Sequence, residues 1–325
     1  MSETTPAVAA SAAISPSPTR ALRWYAWGVV AYNVAVILDG ALVRATGSGN
    51  GCGDHWPLCN GEIVQQHPKI ATMIEYAHRA TSGIAFLAVL VLVIWTFRGT
   101  VKRHMARVAA VWSLIFIFNE ALIGALLVLL GMTANNQSPS RAFYLALHLT
   151  NTLLMLAALT LTADFLSRRR GFMRGSVELR GVWLVSAGLL GVILTGVTGS
   201  LAALADTLHP EYSLRAALAQ DFSSHSSWLI RIRWVHPVLS LIAGLILLEI
   251  LLRATRHRAH HRVATVLIVL LLLQYGLGLT DLALLTPLTM QVLHLLGADL
   301  LWIVLVILAA QLCLRPTGCE VEGCG

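Results

Sequence analysis

The sequence has little charge. Asp, Glu, Lys and Arg make up 12% of its 325 residues, whereas 57% are apolar; a typical soluble domain has about 25% charged residues. This composition excludes an ordinary water-soluble protein and predicts one that folds in a lipid bilayer. The start of the chain also lacks the apolar core of a signal peptide, since it is rich in Ala, Ser, Thr and Pro. We therefore expect residues 1–22 to be a disordered cytoplasmic tail, followed by a first span that stays as an anchor.

Eight apolar stretches of about 20 residues predict eight transmembrane helices. They cover residues 23–43, 75–97, 105–131, 142–164, 181–203, 229–252, 264–286 and 288–313. No segment between them is long enough to form a second, soluble domain. The predicted fold class is therefore an all-α membrane protein.

The Lys and Arg residues predict the orientation in the membrane. With a cytoplasmic N-terminus, sixteen of the 23 basic residues fall on the cytoplasmic side and seven on the outside, as the positive-inside rule requires. Both termini are then cytoplasmic. The net charge of +7 lies mostly in the cytoplasmic loops, so it indicates topology and predicts no nucleic-acid partner.

Four of the twelve histidines lie within predicted spans, all at a similar depth near the outer surface. They are His78, His148, His236 and His294, on the second, fourth, sixth and eighth spans. The sequence around them repeats: "EYAHRATSGIAFLAVLVLVIW" matches "RWVHPVLSLIAGLILLEI", and "FYLALHLTNTLLML" matches "TMQVLHLLGADLLW". The repeat predicts two halves of four helices each, and each half carries one histidine pair.

The repeat also sets the expected domain boundaries. Residues 23–166 form the N-terminal four-helix half and residues 181–313 the C-terminal half. A basic cytoplasmic linker, residues 167–180, joins them, and residues 314–325 form a cytoplasmic tail. We expect two pseudo-repeated four-helix bundles.

Each histidine pair favours a haem ligand set. A single intramembrane histidine is equally well explained by a hydrogen bond to a neighbouring helix, but ionisable residues at this depth are usually functional. Zinc requires three or four close ligands, and each half offers only two histidines. Haem iron takes one or two axial imidazoles and fits the centre of a four-helix bundle, so we predict one haem site in each half.

Only the first half has an acid beside its histidine. Glu75 precedes His78 by three residues in "EYAHR" and so lies on the same helix face, whereas Arg233 holds that position before His236. A di-iron bundle needs two such E-x-x-H motifs, and the sequence has one. Glu75 is either a catalytic group or an interfacial carboxylate paired with Arg79 or Arg44.

The first external loop, "VRATGSGNGCGDHWPLCNG", carries Cys52 and Cys59, seven residues apart. An oxidising compartment outside the membrane predicts a disulfide between them. That bond either holds the shape of the loop or is redox-active. Cys319 and Cys324 in the C-terminal tail do not complete a metal site, and we expect them to be reduced.

Together, the "GALVRATGSG…C…WPLCNG" loop, the "EYAHR" helix start, the four histidines and the duplicated eight-span layout resemble the haem A synthase family over residues 23–313. The bacterial members with a cysteine pair in this loop match Cys52 and Cys59. The resemblance implies oxidation of a ring methyl of haem O to the formyl group of haem A, for terminal oxidases. It also implies a bacterial inner-membrane location, with membrane lipid as the surroundings.

The resemblance assigns the ligands. His78 and His148 would hold the substrate haem O, and His236 and His294 would ligate a haem b cofactor. Glu75, on the same helix face as His78, is then placed to take a proton from the ring methyl or its oxidised forms, or to stabilise positive charge that develops there. The implied partners are haem O synthase, assembly factors of terminal oxidases and an electron acceptor that the sequence does not identify.

The roles of several other polar residues stay open. Arg44 and Arg79 lie near the outer surface, where they suit haem propionates or lipid headgroups. Asp39, Asn119 and Glu120 lie within spans, where they either bond within the bundle or move protons.

Two other classes of protein remain. A di-haem electron-transfer cytochrome accounts for the histidines but leaves Glu75 and the cysteine loop unused. A transporter predicts helix-breaking residues at matched positions of both halves, but Pro237 has no counterpart beside His78.

Overall fold

The computed structural model describes residues 18–63, 65–168, 179–256 and 260–313. Most of the predicted disordered tail, most of the predicted linker, and the C-terminal tail with Cys319 and Cys324 lie outside the described residues.

The described residues form ten helices and no named strand. The helices are α1 (Arg20–Ala45), α2 (Ile70–Gly99), α3 (Met105–Leu129), α4 (Pro139–Ser167), α5 (Leu179–Leu208), α6 (Leu214–Asp221), α7 (Trp228–Arg231), α8 (Val235–Ala254), α9 (His261–Ala283) and α10 (Leu288–Cys313). Within these residues eight segments are long and apolar enough to cross a membrane, with α7 and α8 together making the sixth. The prediction of an all-α protein with eight spans is confirmed.

Four helices, α1, α2, α4 and α5, extend at both ends beyond the apolar stretches that predicted them, whereas α3 and α9 end two and three residues earlier than predicted. The second begins at Ile70, not at residue 75, and the fourth begins at Pro139, where the Ser138 side chain accepts a hydrogen bond from the Arg141 N–H at 3.3 Å. Thr19 caps α1 in the same way, so residues 20–22 of the predicted tail are helical. For α1 and α4 the predicted bounds were short because a helix continues through polar residues once its first turn is capped, whereas α2 begins without a side-chain cap.

Each half forms a closed ring of four spans. In the first half α1 packs on α2, α2 on α3, α3 on α4, and α4 returns to α1. In the second half α5 packs on α8, α8 on α9, α9 on α10, and α10 returns to α5. The two rings place corresponding spans at corresponding corners, as expected for a duplicated fold.

The halves meet through α1 and α4 on one side and α5 and α10 on the other. Trp302, which is 2% exposed, donates its indole N–H to the Leu153 carbonyl at 2.8 Å across this junction. Leu156, Leu159 and Leu308 are fully buried in the same core. Large apolar side chains on the outer faces remain exposed, as a lipid-facing surface requires.

The buried core is concentrated at one end of the bundle. We call the end near Arg20 and Cys313 the termini side and the opposite end the loop side. The buried residues of α1 run only from Leu22 to Val34, and those of α8 only from Ala243 to Ala254. The loop-side parts of these helices are thus more loosely packed, and that is where the four histidines lie.

Candidate functional site

The histidines of each pair stand at opposite corners of a four-helix ring. His78 is on α2 and His148 on α4, and both helices pack against α1 and α3. His236 on α8 and His294 on α10 have the same relation to α5 and α9. A pair at opposite corners can approach a ligand at the centre of the ring from two sides.

A glycine on the neighbouring helix faces each histidine. A Cβ atom built on Gly40 would lie 2.9 Å from His78 Cε1, and one on Gly199 would lie 2.8 Å from His236 Cε1. Contacts this short do not occur between real side chains, so only glycine fits there.

The other two glycines differ from each other. A Cβ on Gly278 would lie 3.0 Å from His294 Cε1, which is a tight contact, whereas one on Gly124 would lie 3.8 Å from His148 Cε1, which is an ordinary contact. Three of the four imidazoles therefore lie close against a glycine of the adjacent helix.

The histidine level is open in both halves. In the first half the His78 and His148 side chains are 27% and 29% exposed although four helices surround them. In α2, buried residues occur at Thr72 and Glu75 and then not again until Ala85. The partial exposure of both imidazoles inside the helix ring is compatible with a flat ligand between them.

In the second half the two histidine rings lie close together. The ring centroids of His236 and His294 are 6.3 Å apart, and the ring planes are perpendicular. Two imidazoles that bind one metal from opposite sides, with bonds of about 2 Å, hold their centroids about 6 Å apart. The residues present therefore fit an iron held between these two rings.

The surroundings of the first-half histidines are acidic. His78 Nδ1 lies 3.4 Å from Asp39 Oδ2 on α1, and His148 Nδ1 lies 3.3 Å from Glu120 Oε1 on α3. Ligand histidines commonly have such a carboxylate at the second ring nitrogen, where it fixes the orientation of the ring. Asp39 and Glu120 thus bond within the bundle, and a role of either residue in proton movement stays a prediction.

The second-half histidines have neutral neighbours. His236 Nδ1 lies 3.0 Å from the Thr195 carbonyl oxygen. The Gln274 amide nitrogen lies 3.3 Å from His294 Nε2 and donates to the His294 carbonyl at 3.0 Å. Among the described residues, no ion pair joins a carboxylate to either ring.

The disulfide predicted in the first loop is present. Cys52 and Cys59 are bonded, and both are buried. The loop presses closely on the start of α2, because a Cβ on Gly51 would lie 2.4 Å from the Ala71 backbone. The Thr72 hydroxyl donates to the Gly51 carbonyl at 2.7 Å, which holds the loop over the loop side of the first half.

Glu75 lies directly under this loop and is 3% exposed. Its Oε2 accepts the Cys52 N–H at 2.8 Å, and its Oε1 accepts from Arg79 Nη2 at 2.6 Å. Arg79 Nη1 in turn donates to the carbonyls of His55 at 2.6 Å and Leu58 at 2.9 Å. The predicted pairing of Glu75 with Arg79 is therefore present, and it joins the carboxylate to the disulfide loop.

Arg44 has a different set of contacts. Its guanidinium donates to the Ala203 carbonyl at 2.8 Å, the Thr207 hydroxyl at 2.9 Å and Gln291 Oε1 at 2.8 Å. All three groups belong to the second half, so Arg44 ties the two halves together on the loop side. The propionate contacts predicted for Arg44 and Arg79 stay predictions, and in the structure both guanidinium groups bond to protein.

Arg233, at the position that matches Glu75, binds the short helix α6 on the loop side of the second half. It donates to Asp206 at 2.6 Å and to Asp221 at 2.9 Å, and its Nη2 donates to the Ala217 carbonyl at 2.8 Å. Asp221 and Ala217 belong to α6. Each half is thus covered on the loop side by a segment bound to the residue three positions before its histidine, a disulfide loop in one half and a short helix in the other.

The sequence contained a signal for some of these residues. Glu120 precedes Gly124 by four residues, and Gln274 precedes Gly278 by four. An alignment of the two halves on these glycines pairs the acid of the first half with the amide of the second. The short helix α6 carried no comparable signal.

These features define a polytopic helical membrane protein of two four-helix halves, each with a histidine pair at opposite corners. The chain belongs to the COX15-CtaA family, described as cytochrome oxidase assembly protein, whose family model matches residues 23–306. The resemblance to haem A synthases that the loop and helix motifs predicted is confirmed by this match and by the relatives below.

Several curated proteins are similar to the chain. A Thermus thermophilus protein named protoheme IX farnesyltransferase is 43% identical over 297 residues, which cover 89% of this chain and 48% of that protein. The heme A synthase of Geobacillus kaustophilus is 38% identical over 163 residues, 50% of this chain and 49% of that protein. The heme A synthase of Halalkalibacterium halodurans is 29% identical over 258 residues, 76% of this chain and 82% of that protein. The chain therefore spans about half the length of the Thermus and Geobacillus relatives.

Proposed function

We propose that the chain is a haem A synthase, a membrane oxidoreductase that converts haem O to haem A for terminal oxidases. His78 and His148 hold the substrate haem, and His236 and His294 hold a haem b cofactor. The family match and the relatives named heme A synthase support this proposal. The Thermus relative leaves about half of its length unmatched, so its printed name is no argument for prenyl transfer here.

The observation that carries the proposal is the difference between the two sites. Both halves have a histidine pair, but only the first has a buried carboxylate, Glu75, fixed three residues before its histidine and beneath a disulfide loop. The second half has Arg233 there, engaged in holding α6. A site that only carries electrons needs the ligands alone, whereas a site that oxidises a substrate also needs a group to handle protons.

Glu75 and the two histidine pairs have different proposed roles. Haem iron, when bound, supplies the one-electron chemistry. Glu75 is held rigidly by the Cys52 N–H and by Arg79, so its negative charge is fixed on the loop side of the His78 site. From there it accepts protons released from the substrate methyl group or stabilises positive charge that develops beside it. His236 and His294 would hold a haem b, which would supply electron transfer when bound.

The proposal also covers location and surroundings. Both termini lie in the cytoplasm of a bacterial cell, so the disulfide loop and α6 face the outside of the cell membrane. Haem O enters from the membrane, where haem O synthase and assembly factors of terminal oxidases are the expected partners. An oxidising exterior agrees with the bonded state of Cys52 and Cys59.

The test is the pigment extracted from the purified protein after expression with and without a source of haem O. We expect protohaem alone without the source, and haem A or a hydroxylated intermediate in addition when haem O is supplied. A protein that contains only protohaem under both conditions would be an electron carrier, and the proposed function would be wrong.

A further inference from the structure

The two histidine pairs differ in the charge that faces their second ring nitrogens. In the first half a carboxylate oxygen lies 3.4 Å from His78 Nδ1 and another lies 3.3 Å from His148 Nδ1. In the second half His236 Nδ1 faces a backbone carbonyl instead. The difference applies to both members of the first pair, so it distinguishes one site from the other.

The first carboxylate is held in place by the helix that carries the histidine. The Thr81 hydroxyl, one turn after His78, lies 3.1 Å from both Asp39 Oδ2 and the His78 carbonyl. Asp39 is thereby directed at the imidazole from the neighbouring helix α1.

The second carboxylate is held more firmly. Asn151 Nδ2 donates to Glu120 Oε2 at 2.5 Å, and the Thr152 hydroxyl donates to Glu120 Oε1. Asn151 and Thr152 follow His148 by three and four residues, and both are buried. This network fixes the position of Glu120 independently of any ligand.

The second half has an amide at the matching sequence position. Gln274 precedes Gly278 by four residues, as Glu120 precedes Gly124, and each glycine faces the histidine of the next span. The contact differs, because the Gln274 amide nitrogen lies 3.3 Å from His294 Nε2 whereas Glu120 lies beside His148 Nδ1. A neutral side chain of nearly equal size is therefore close to the second-half histidine where the first half has an acid.

A carboxylate within 4 Å of a metal-bound imidazole places a negative charge beside the iron site, in surroundings where charges interact more strongly than in water. This charge stabilises ferric iron more than ferrous iron, because the ferric site carries one more positive charge. The charges around the iron are one of the means by which a protein sets a haem potential.

We propose that Asp39 and Glu120 are positioning residues that act through His78 and His148 to lower the reduction potential of the haem in the first half. The haem held by His236 and His294, which lacks these acids, has the higher potential. This inference rests on the proposed function, since it assumes a haem in each half. The difference in reduction potential would direct electrons from the first-half site, where the substrate is oxidised, to the second-half site.

The experiment is a potentiometric titration of the purified protein, loaded with haem O during expression and followed by its optical and electron paramagnetic resonance spectra. Glu120→Gln and Asp39→Asn remove the charge but keep the size of the side chain. Changes at such outer positions alter metal affinity by about 10–100-fold. A tenfold loss of preference for the ferric state raises a one-electron potential by about 59 mV.

We expect each of these variants to raise the potential of the first-half haem by about that amount and to leave the second-half haem unchanged. The matched control is Gln274→Glu, which introduces the acid into the second half and should lower the potential of the haem b alone. This control does not depend on the folding of the first-half variants.

Two results would overturn the inference, and they differ from each other. If His78→Ala and His148→Ala remove one haem while Glu120→Gln, Asp39→Asn and Gln274→Glu leave both potentials unchanged, the acids do not tune the iron and the proposed function stands. If His78→Ala and His148→Ala leave the haem content unchanged, no haem binds in the first half. The proposed function then fails together with the inference.

Discussion

The carboxylate of Glu75 accepts the backbone N–H of Cys52 at 2.8 Å. This bond joins the helix that carries His78 to the loop that carries the disulfide. The cysteine pair and the acid, which are separate motifs in the sequence, therefore form one structural unit above the first-half site.

The first prediction concerns the charge of Glu75. Glu75→Gln keeps an acceptor for the Cys52 N–H but removes the ion pair with Arg79. If Glu75 transfers protons, the rate of haem A formation should fall by about 10²–10⁴-fold, while haem O stays bound and the haem b spectrum is unchanged. Pigment analysis of the purified variant measures all three.

The control for this variant is Tyr76→Phe. It removes a different bond to the same loop, from the Tyr76 hydroxyl to the Ile63 carbonyl at 3.0 Å, without touching the acid. We expect Tyr76→Phe to retain most of the activity. Haem A formation at a near-normal rate by Glu75→Gln would show that the carboxylate is an anchor for the loop and not a catalytic group.

The second prediction concerns the disulfide. Cys52→Ser and Cys59→Ser should lose the same fraction of activity, because either change breaks the same bond and loosens the loop that holds Glu75. Activity is compared at equal amounts of folded protein. Cys313→Ser is the control, since Cys313 is a free cysteine on α10, and it should behave like the parent protein. Unequal activities of the two loop variants would mean that one sulfur has a chemical role of its own.

The third prediction concerns the ligands of the second half. His236→Ala and His294→Ala should each lose the low-spin haem b spectrum, because removal of one axial imidazole opens a coordination position on the iron. The protein should still insert in the membrane, since neither histidine belongs to the buried core. A normal low-spin spectrum in both variants would contradict the assignment of haem b to this half.

The fourth prediction uses two glycines of α9. A Cβ on Gly278 would lie 3.0 Å from His294 Cε1, whereas nothing lies within 4 Å of one on Gly276. Gly278→Ala should therefore displace the imidazole and weaken haem b retention by about tenfold, as other changes of ligand orientation do. Gly276→Ala should retain haem b normally. The ratio of haem to protein after purification measures both, and equal ratios would show that the close contact with glycine does not position the ring.

The sequence predicted the spans because apolar length is a direct property of composition. It did not predict that α2 begins at Ile70 or that α6 covers the second half, since these features involve contacts of Thr72 and Glu75 with the disulfide loop and the bonds of Arg233 to α6. The pairing of Asp39 with His78 was equally hidden. The sequence of a single helix does not determine how that helix is rotated against its neighbour. Packing therefore decides which side chain of α1 faces α2.

The unequal packing of the bundle has a mechanical consequence. The buried residues that join the two halves include Leu156, Trp302 and Leu308, which lie toward the termini side of the histidines on α4 and α10, and each imidazole faces a glycine of the adjacent helix. The bundle is well packed on the termini side and less well packed on the loop side. The apolar core on the termini side therefore fixes the relative positions of the four histidine-bearing helices, whereas the loop side depends on polar contacts such as those of Glu75 and Arg233.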